Sequence, residues 1–176
     1  KLFAWGTNDS GECGAPPSPS VPTPTEVAIG ENVLGACAGY SHSCAATASG
    51  KVVCWGQDQG FGLGGAPAPE TPDVKVPSGA TGVTCSVAGT CAYGPGLATC
   101  WGRNESGQLG NGTRLHTSIP TPIAGLAGAS RIVLGEMHAC AIDGLGAVHC
   151  WGSASGGRLG NGDTARVSSP TVITLP

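Results

Sequence analysis

The sequence predicts an all-β fold arranged as a partial β-propeller: three full repeats and a half repeat, with four short antiparallel strands in each complete blade. Two observations carry this reading. The dipeptide Trp-Gly recurs at Trp5, Trp55, Trp101 and Trp151, spaced 50, 46 and 50 residues apart, and uses every tryptophan of the 176-residue chain. Thirty-one glycines and fourteen prolines demand many turns, while 40% apolar content is too high for a disordered chain. A unit of roughly 40–50 residues holding about four strands has the size of a propeller blade.

The half repeat covers 1–29, and the full repeats cover about 30–78, 79–126 and 127–176. Nine residues after each tryptophan stands a glycine: Gly14, Gly64, Gly110 and Gly160. The residue before it is Cys13, Leu63, Leu109 or Leu159. Ala45–Thr47 and Lys51–Trp55 flank Ala48-Ser49-Gly50, and Ala141–Asp143 and Ala147–Trp151 flank Gly144-Leu145-Gly146. Both segments read as β-hairpins with glycine in the turn. One indole per unit at a fixed offset is what packing between neighbouring sheets requires, so Trp5, Trp55, Trp101 and Trp151 are expected in the core. His42 and His138 recur two residues before a paired cysteine and are expected to be structural, whereas His116 and His149 have no counterpart and are expected on the surface.

Six of nine cysteines fall into pairs that flank hairpins: Cys44 with Cys54, Cys91 with Cys100, and Cys140 with Cys150. Opposed across neighbouring strands, their Cβ atoms would lie about 4.5–5.5 Å apart, close to disulfide range. Three bridges are therefore expected, and with them an oxidising compartment: secreted, periplasmic or cell surface. Cys13 occupies a leucine position, which suits a small apolar side chain. A fourth bridge from Cys13 to Cys37 would join the half unit to the next, leaving Cys85 unpaired. No Cys-x-x-Cys or His-rich spacing gathers four ligands, so no metal or cofactor is expected.

The pattern Gly-x-x-His-x-Cys-Ala, followed by a turn and Cys-Trp-Gly-x-Asn-x-x-Gly-Gln-Leu-Gly-x-Gly-Thr, resembles the regulator of chromosome condensation repeat in its cysteine-bearing, exported bacterial form. Gly39–Ala45 with Cys54–Gly56, and Gly135–Ala141 with Cys150–Gly160, carry the likeness. In the second full unit Ser86 and Gly89 replace the glycine and the histidine, and just ahead of it Phe61 replaces a glycine, so that blade is expected to be distorted. The resemblance implies a seven-bladed ring of roughly 340 residues. This chain has half that length, which fits a fragment, part of a longer polypeptide, or a half ring that closes on a second copy.

Net charge is −3 with 11% charged residues, so there is no basic surface for a phosphate backbone, and nucleic acid is not expected as a partner. No apolar run of about 18 residues could span a bilayer. There is no Ser/His/Asp set, no repeated carboxylate pair and no nucleophile elbow, so an enzyme is not expected. The glycine-rich runs lack a phosphate-loop lysine and read as turns. Function is left to what varies between units. Pro16–Glu26, Ala66–Pro77 and Arg114–Pro122 read as variable, proline-rich loops, with Glu70, Asp73, Arg114 and His116 among the groups expected to meet a protein partner. The alternatives are a carbohydrate- or small-ligand-binding propeller, or, as the resemblance implies, a regulator of a GTPase or of chromatin.

Overall fold

The computed structural model describes residues 1–57, 73–76 and 78–174. Strands β1 (Leu2–Asn8) and β2 (Ser18–Val27) form a two-stranded half blade. Three four-stranded antiparallel sheets follow. The first joins β3 (Val33–Ala38), β4 (His42–Thr47), β5 (Val52–Gly56) and β6 (Asp73–Val76). The second joins β7 (Gly82–Cys85), β8 (Gly89–Gly94), β9 (Leu97–Gly102) and β10 (Thr117–Pro122). The third joins β11 (Arg131–Leu134), β12 (His138–Ile142), β13 (Val148–Gly152) and β14 (Val167–Val172). A single 3-10 turn at Ser155–Gly157 is the one helical element among the described residues, and no helix is long and apolar enough to cross a membrane.

Within each sheet the strands run in chain order, so the chain meanders outward. Strands β3, β7 and β11 lie against one another on the inner side, which places β2, β6, β10 and β14 outermost. The segments Pro16–Glu26 and Arg114–Pro122, read from their prolines as loops, are therefore largely the strands β2 and β10. Proline lacks an N–H, yet an edge strand has one side on which no ladder partner is needed, so Pro19, Pro22, Pro24 and Pro120 are accommodated. Most of Ala66–Pro77 lies outside the described residues, as do Glu70 and Phe61. The blade expected to be distorted keeps a regular β7–β8 ladder from Gly82↔Tyr93 to Cys85↔Thr90.

The core is a series of slabs between successive sheets. Trp55 packs with Val27, Ala45 and Val53 against the half blade, Trp101 with Val52 and Val76 against the first sheet, and Trp151 with Leu109, Ile123 and Ile132 against the second. These three indoles are buried, but Trp5 is 61% exposed and departs from its expected core role. The reason is positional: each buried indole packs against the sheet before it in repeat order, and β1 belongs to the first sheet among the described residues.

Cys44 and Cys54, Cys91 and Cys100, and Cys140 and Cys150 are register partners joined by disulfides, with Cα atoms 4.1 Å apart in each pair. The fourth bridge differs from the expected Cys13–Cys37 pairing. Cys37 on β3 joins Cys85 on β7, linking two neighbouring sheets, so Cys85 is paired and Cys13 is the free, buried thiol. Cys13 serves instead as an apolar core residue in the leucine place, its Sγ 3.4 Å from the Thr7 carbonyl oxygen. In the chain-entropy account the 48-residue separation of Cys37 and Cys85 is worth about 4 kcal/mol, against about 2.7 kcal/mol for a ten-residue hairpin loop.

Candidate protein-interaction face

The repeated motif residues are consumed by folding. Asn104 is fully buried: its Oδ1 accepts from the Leu109 N–H at 2.9 Å, and its Nδ2 donates to the carbonyls of Thr113 and Leu115, each at 3.1 Å. Asn8 repeats the device, taking the Cys13 N–H at 2.9 Å and donating to the Pro16 carbonyl at 2.8 Å. The following sheet locks onto the same loop, since Trp55 Nε1 donates to the Glu12 carbonyl and Trp151 Nε1 to that of Gln108. The glycine nine residues after the tryptophan follows from this contact. Gly110 has φ +69°, and a Cβ there would come 2.6 Å from Trp151 Nε1. Asn8 and Asn104 also open Asn-x-Ser triplets, but a buried amide is no surface acceptor for a glycan.

His42 is buried and its Nε2 meets Thr90 Oγ1 of the next sheet at 3.0 Å. Across the following boundary Gly89 and Ala139 hold the two equivalent positions, so imidazole and hydroxyl are missing together. His138 is half-buried, with a buried Nδ1 that has no hydrogen-bond partner. Burial, and to a smaller degree Arg158, holds its imidazole below the ordinary value.

Strand alternation sorts the connections onto two faces. Loops between first and second strands, and those between third and fourth, emerge on one face; hairpin turns and sheet-to-sheet connections emerge on the other. The first face carries Tyr40, Val87 and Met137, which are 73%, 46% and 44% exposed in equivalent loops of consecutive sheets. The Tyr40 N–H donates to the Val87 carbonyl at 3.4 Å, so the first two loops touch. Arg103, Glu105 and Glu136 join Val87 and Met137 around a small cleft.

Of the groups expected to meet a partner, Arg114 and His116 lie on this same face, exposed in the loop between β9 and β10. Arg114 Nε donates to the Glu105 carbonyl at 3.0 Å, and His116 Nδ1 accepts the Asn104 N–H at 3.0 Å, so both brace the long loop of the second sheet. His116 is thus a loop support, with Nε2 3.7 Å from Glu105. The Asp73 backbone pairs with Cys54 in β6. Neither Arg114 nor His116 has a repeat counterpart, so spacing in the sequence carries no signal for these contacts.

On the opposite face, Gly94–Gly96, Gly125–Ser130 and the Asp143–Leu145 turn line a groove of about 580 Å³. His149 Nε2 lies 2.9 Å from Asp143 Oδ2. That hydrogen bond, followed by those from the Leu145 and Ala147 N–H groups, holds the Asp143 carboxyl below its usual range. His149 is therefore a wall residue of this groove rather than a free surface group. Tertiary folding also gathers what sequence spacing kept apart, for the ligand atoms of His42, Cys44 and Cys85 lie within 4.8 Å of one another.

The family model of the regulator of chromosome condensation (RCC1) repeat matches residues 1–46 and 96–142, and a second model of that repeat matches 36–62. The chain belongs to the RCC1-repeat family. As an RCC1-repeat chain it is 31% identical over 150 residues to human E3 ubiquitin-protein ligase HERC2, covering 80% of its own length and 3% of that relative. It is 29% identical over 171 residues to the mouse secretion-regulating guanine nucleotide exchange factor, covering 81% of itself and 37% of that protein. Among solved structures, human WBSCR16 superposes with a TM-score of 0.84 at 23% identity, over 99% of this chain and 48% of that one. Yeast RCC1 (Prp20), solved bound to Kap60, gives 0.81 at 18% identity, over 98% and 44%. The RCC1-repeat chain thus spans less than half of each of these proteins, and the structural likeness fixes its fold as a segment of an RCC1-type propeller.

Proposed function

We propose that this chain is a non-catalytic propeller segment that binds a protein partner through the face bearing Tyr40, Val87 and Met137. The observation that carries the reading is their exposure in three consecutive loops, while Trp55, Trp101, Trp151, Asn104, Leu109 and Leu159 are buried and spent on packing. Large apolar side chains on a rigid rim suit the centre of a protein interface, where charge is depleted and aromatic residues and methionine are enriched. Four disulfides fit an oxidising compartment, so we place the protein outside the cytosol, secreted, periplasmic or on the cell surface. The mouse relative's name favours guanine-nucleotide exchange as a second reading, which nucleotide-release kinetics on a panel of small GTPases would test.

The main reading is tested by comparing proteins captured from a secreted or cell-surface extract by immobilised wild type, a Tyr40→Ser/Val87→Ser/Met137→Ser variant, and Leu145→Ser on the opposite face. A partner kept by wild type and Leu145→Ser but lost by the triple variant is expected. An identical set on all three would reject the assigned face.

A further inference from the structure

The seam between the first and second four-stranded sheets holds a concentration of sulfur. Register aligns Cys37, Cys44 and Cys54 across β3, β4 and β5, and Cys85 arrives from β7 to bridge with Cys37. Two disulfides therefore lie side by side, with the imidazole of buried His42 beside them. Among the described residues no other group of three or more ligand-type side chains comes together.

We propose that, when both bridges are reduced, this seam is a metal site for a soft divalent cation of the zinc type. His42, Cys44 and Cys85 supply three ligands, and Cys37 or Cys54 supplies the fourth. Thiolate and imidazole are the donors of closed tetrahedral zinc sites, with Zn–S near 2.3 Å and Zn–N near 2.0 Å, so neighbouring ligand atoms stand roughly 3.3–3.8 Å apart. The 4.8 Å limit on the present separations of the His42, Cys44 and Cys85 ligand atoms leaves about 1.0–1.5 Å of adjustment at most. Sheet ladders on both sides of the seam hold the ligands in place before the ion arrives.

The chemistry balances with a dithiol reductant. Two equivalents deliver four electrons and four protons to the two disulfides, giving four thiols, and each reductant leaves as its own disulfide. The cation then displaces three thiol protons and is held by three thiolates and a neutral imidazole. Two equivalents of an exchanging disulfide oxidant take four electrons and four protons from the metal-free seam and leave as dithiols, restoring Cys37–Cys85 and Cys44–Cys54, so metal and disulfides are alternative fastenings of the same two sheets.

The test uses the full chain, reduced anaerobically with a phosphine, desalted and titrated with cobalt(II) alone, with far-UV circular dichroism recorded throughout. One cobalt per chain is expected, with the strong visible bands of a tetrahedral site and thiolate-to-metal charge transfer, bleached by one equivalent of zinc. Cys44→Ser and Cys85→Ser should each weaken binding at least about tenfold, His42→Ala should shift the visible bands, and Cys140→Ser/Cys150→Ser should titrate as wild type. Whichever of Cys37→Ser and Cys54→Ser loses the bands identifies the fourth ligand. Absence of the bands in reduced wild type, loss of its sheet signal, undiminished binding by Cys85→Ser, or lost binding in the Cys140→Ser/Cys150→Ser variant would each overturn the proposal.

Discussion

Asn104→Ala offers the sharpest test of the account of how each long loop is held. The substitution removes an acceptor and a donor from a site with no solvent access. The Leu109 N–H loses its 2.9 Å partner inside the core, and an orphaned buried donor costs about 1–3 kcal/mol. The carbonyls of Thr113 and Leu115 belong to exposed residues and can turn to water, so their lost bonds add only about 1 kcal/mol together. A total of about 2–4 kcal/mol follows, which for a domain of this size lowers Tm by roughly 4–16 °C. Urea titration with disulfides intact, followed by circular dichroism, measures it. Asn104→Asp sharpens the test, because it keeps the acceptor for Leu109 but aims a carboxylate at two carbonyl oxygens. Its cost should shrink as the solution is acidified and the side chain regains a donor. A loss under 0.5 kcal/mol for Asn104→Ala, or an Asn104→Asp deficit that does not change with pH, would refute the capping role.

Thiol counting on unreduced protein should find one reactive group after unfolding in guanidinium and none in the native state, because Cys13 alone is free and burial raises its pKa; alkylation mapped by mass spectrometry checks this. Gly110→Ala should destabilise by roughly 2–4 kcal/mol, since φ +69° and the Trp151 ring both oppose a Cβ, whereas Gly162→Ala, at φ +76° with open space around it, should cost about 1–2 kcal/mol; paired denaturation midpoints decide. His138 is held below its ordinary value of 6.5, so the folded state binds fewer protons there than the unfolded chain. Its contribution is fully present above pH 6.5 and is lost as pH falls through the folded value. Stability curves between pH 7.5 and 5 should therefore be flatter for His138→Gln than for wild type, and parallel curves would contradict the assignment.

The blades were legible because their signals are local and repeated. Trp55, Trp101 and Trp151 announce the slabs, and hairpin symmetry about a glycine turn places Cys44 opposite Cys54 without knowledge of the tertiary fold. What crosses between sheets was not legible. Cys37 and Cys85 lie 48 residues apart with no shared turn to set their register, so their pairing is fixed only when β3 and β7 pack. His42 with Thr90 is hidden for the same reason. Its one trace in the sequence is that Gly89 and Ala139 lose both members at the next boundary. The outer strands were obscured by proline, whose usual message of a loop reverses at the perimeter of a sheet. Trp5 carried the Trp-Gly-x-Asn-x-x-Gly part of the motif, but the motif describes half of an interface and is silent about the other half.

Sheets stacked face to face share no ladder hydrogen bonds, so such an array can part at any boundary. Cys37–Cys85 removes one of these parting planes. Slow-exchanging amides of β4 and β8 should then open together rather than in sequence. A protease cut between residues 57 and 73 would yield two pieces that still migrate as one until a reductant is added.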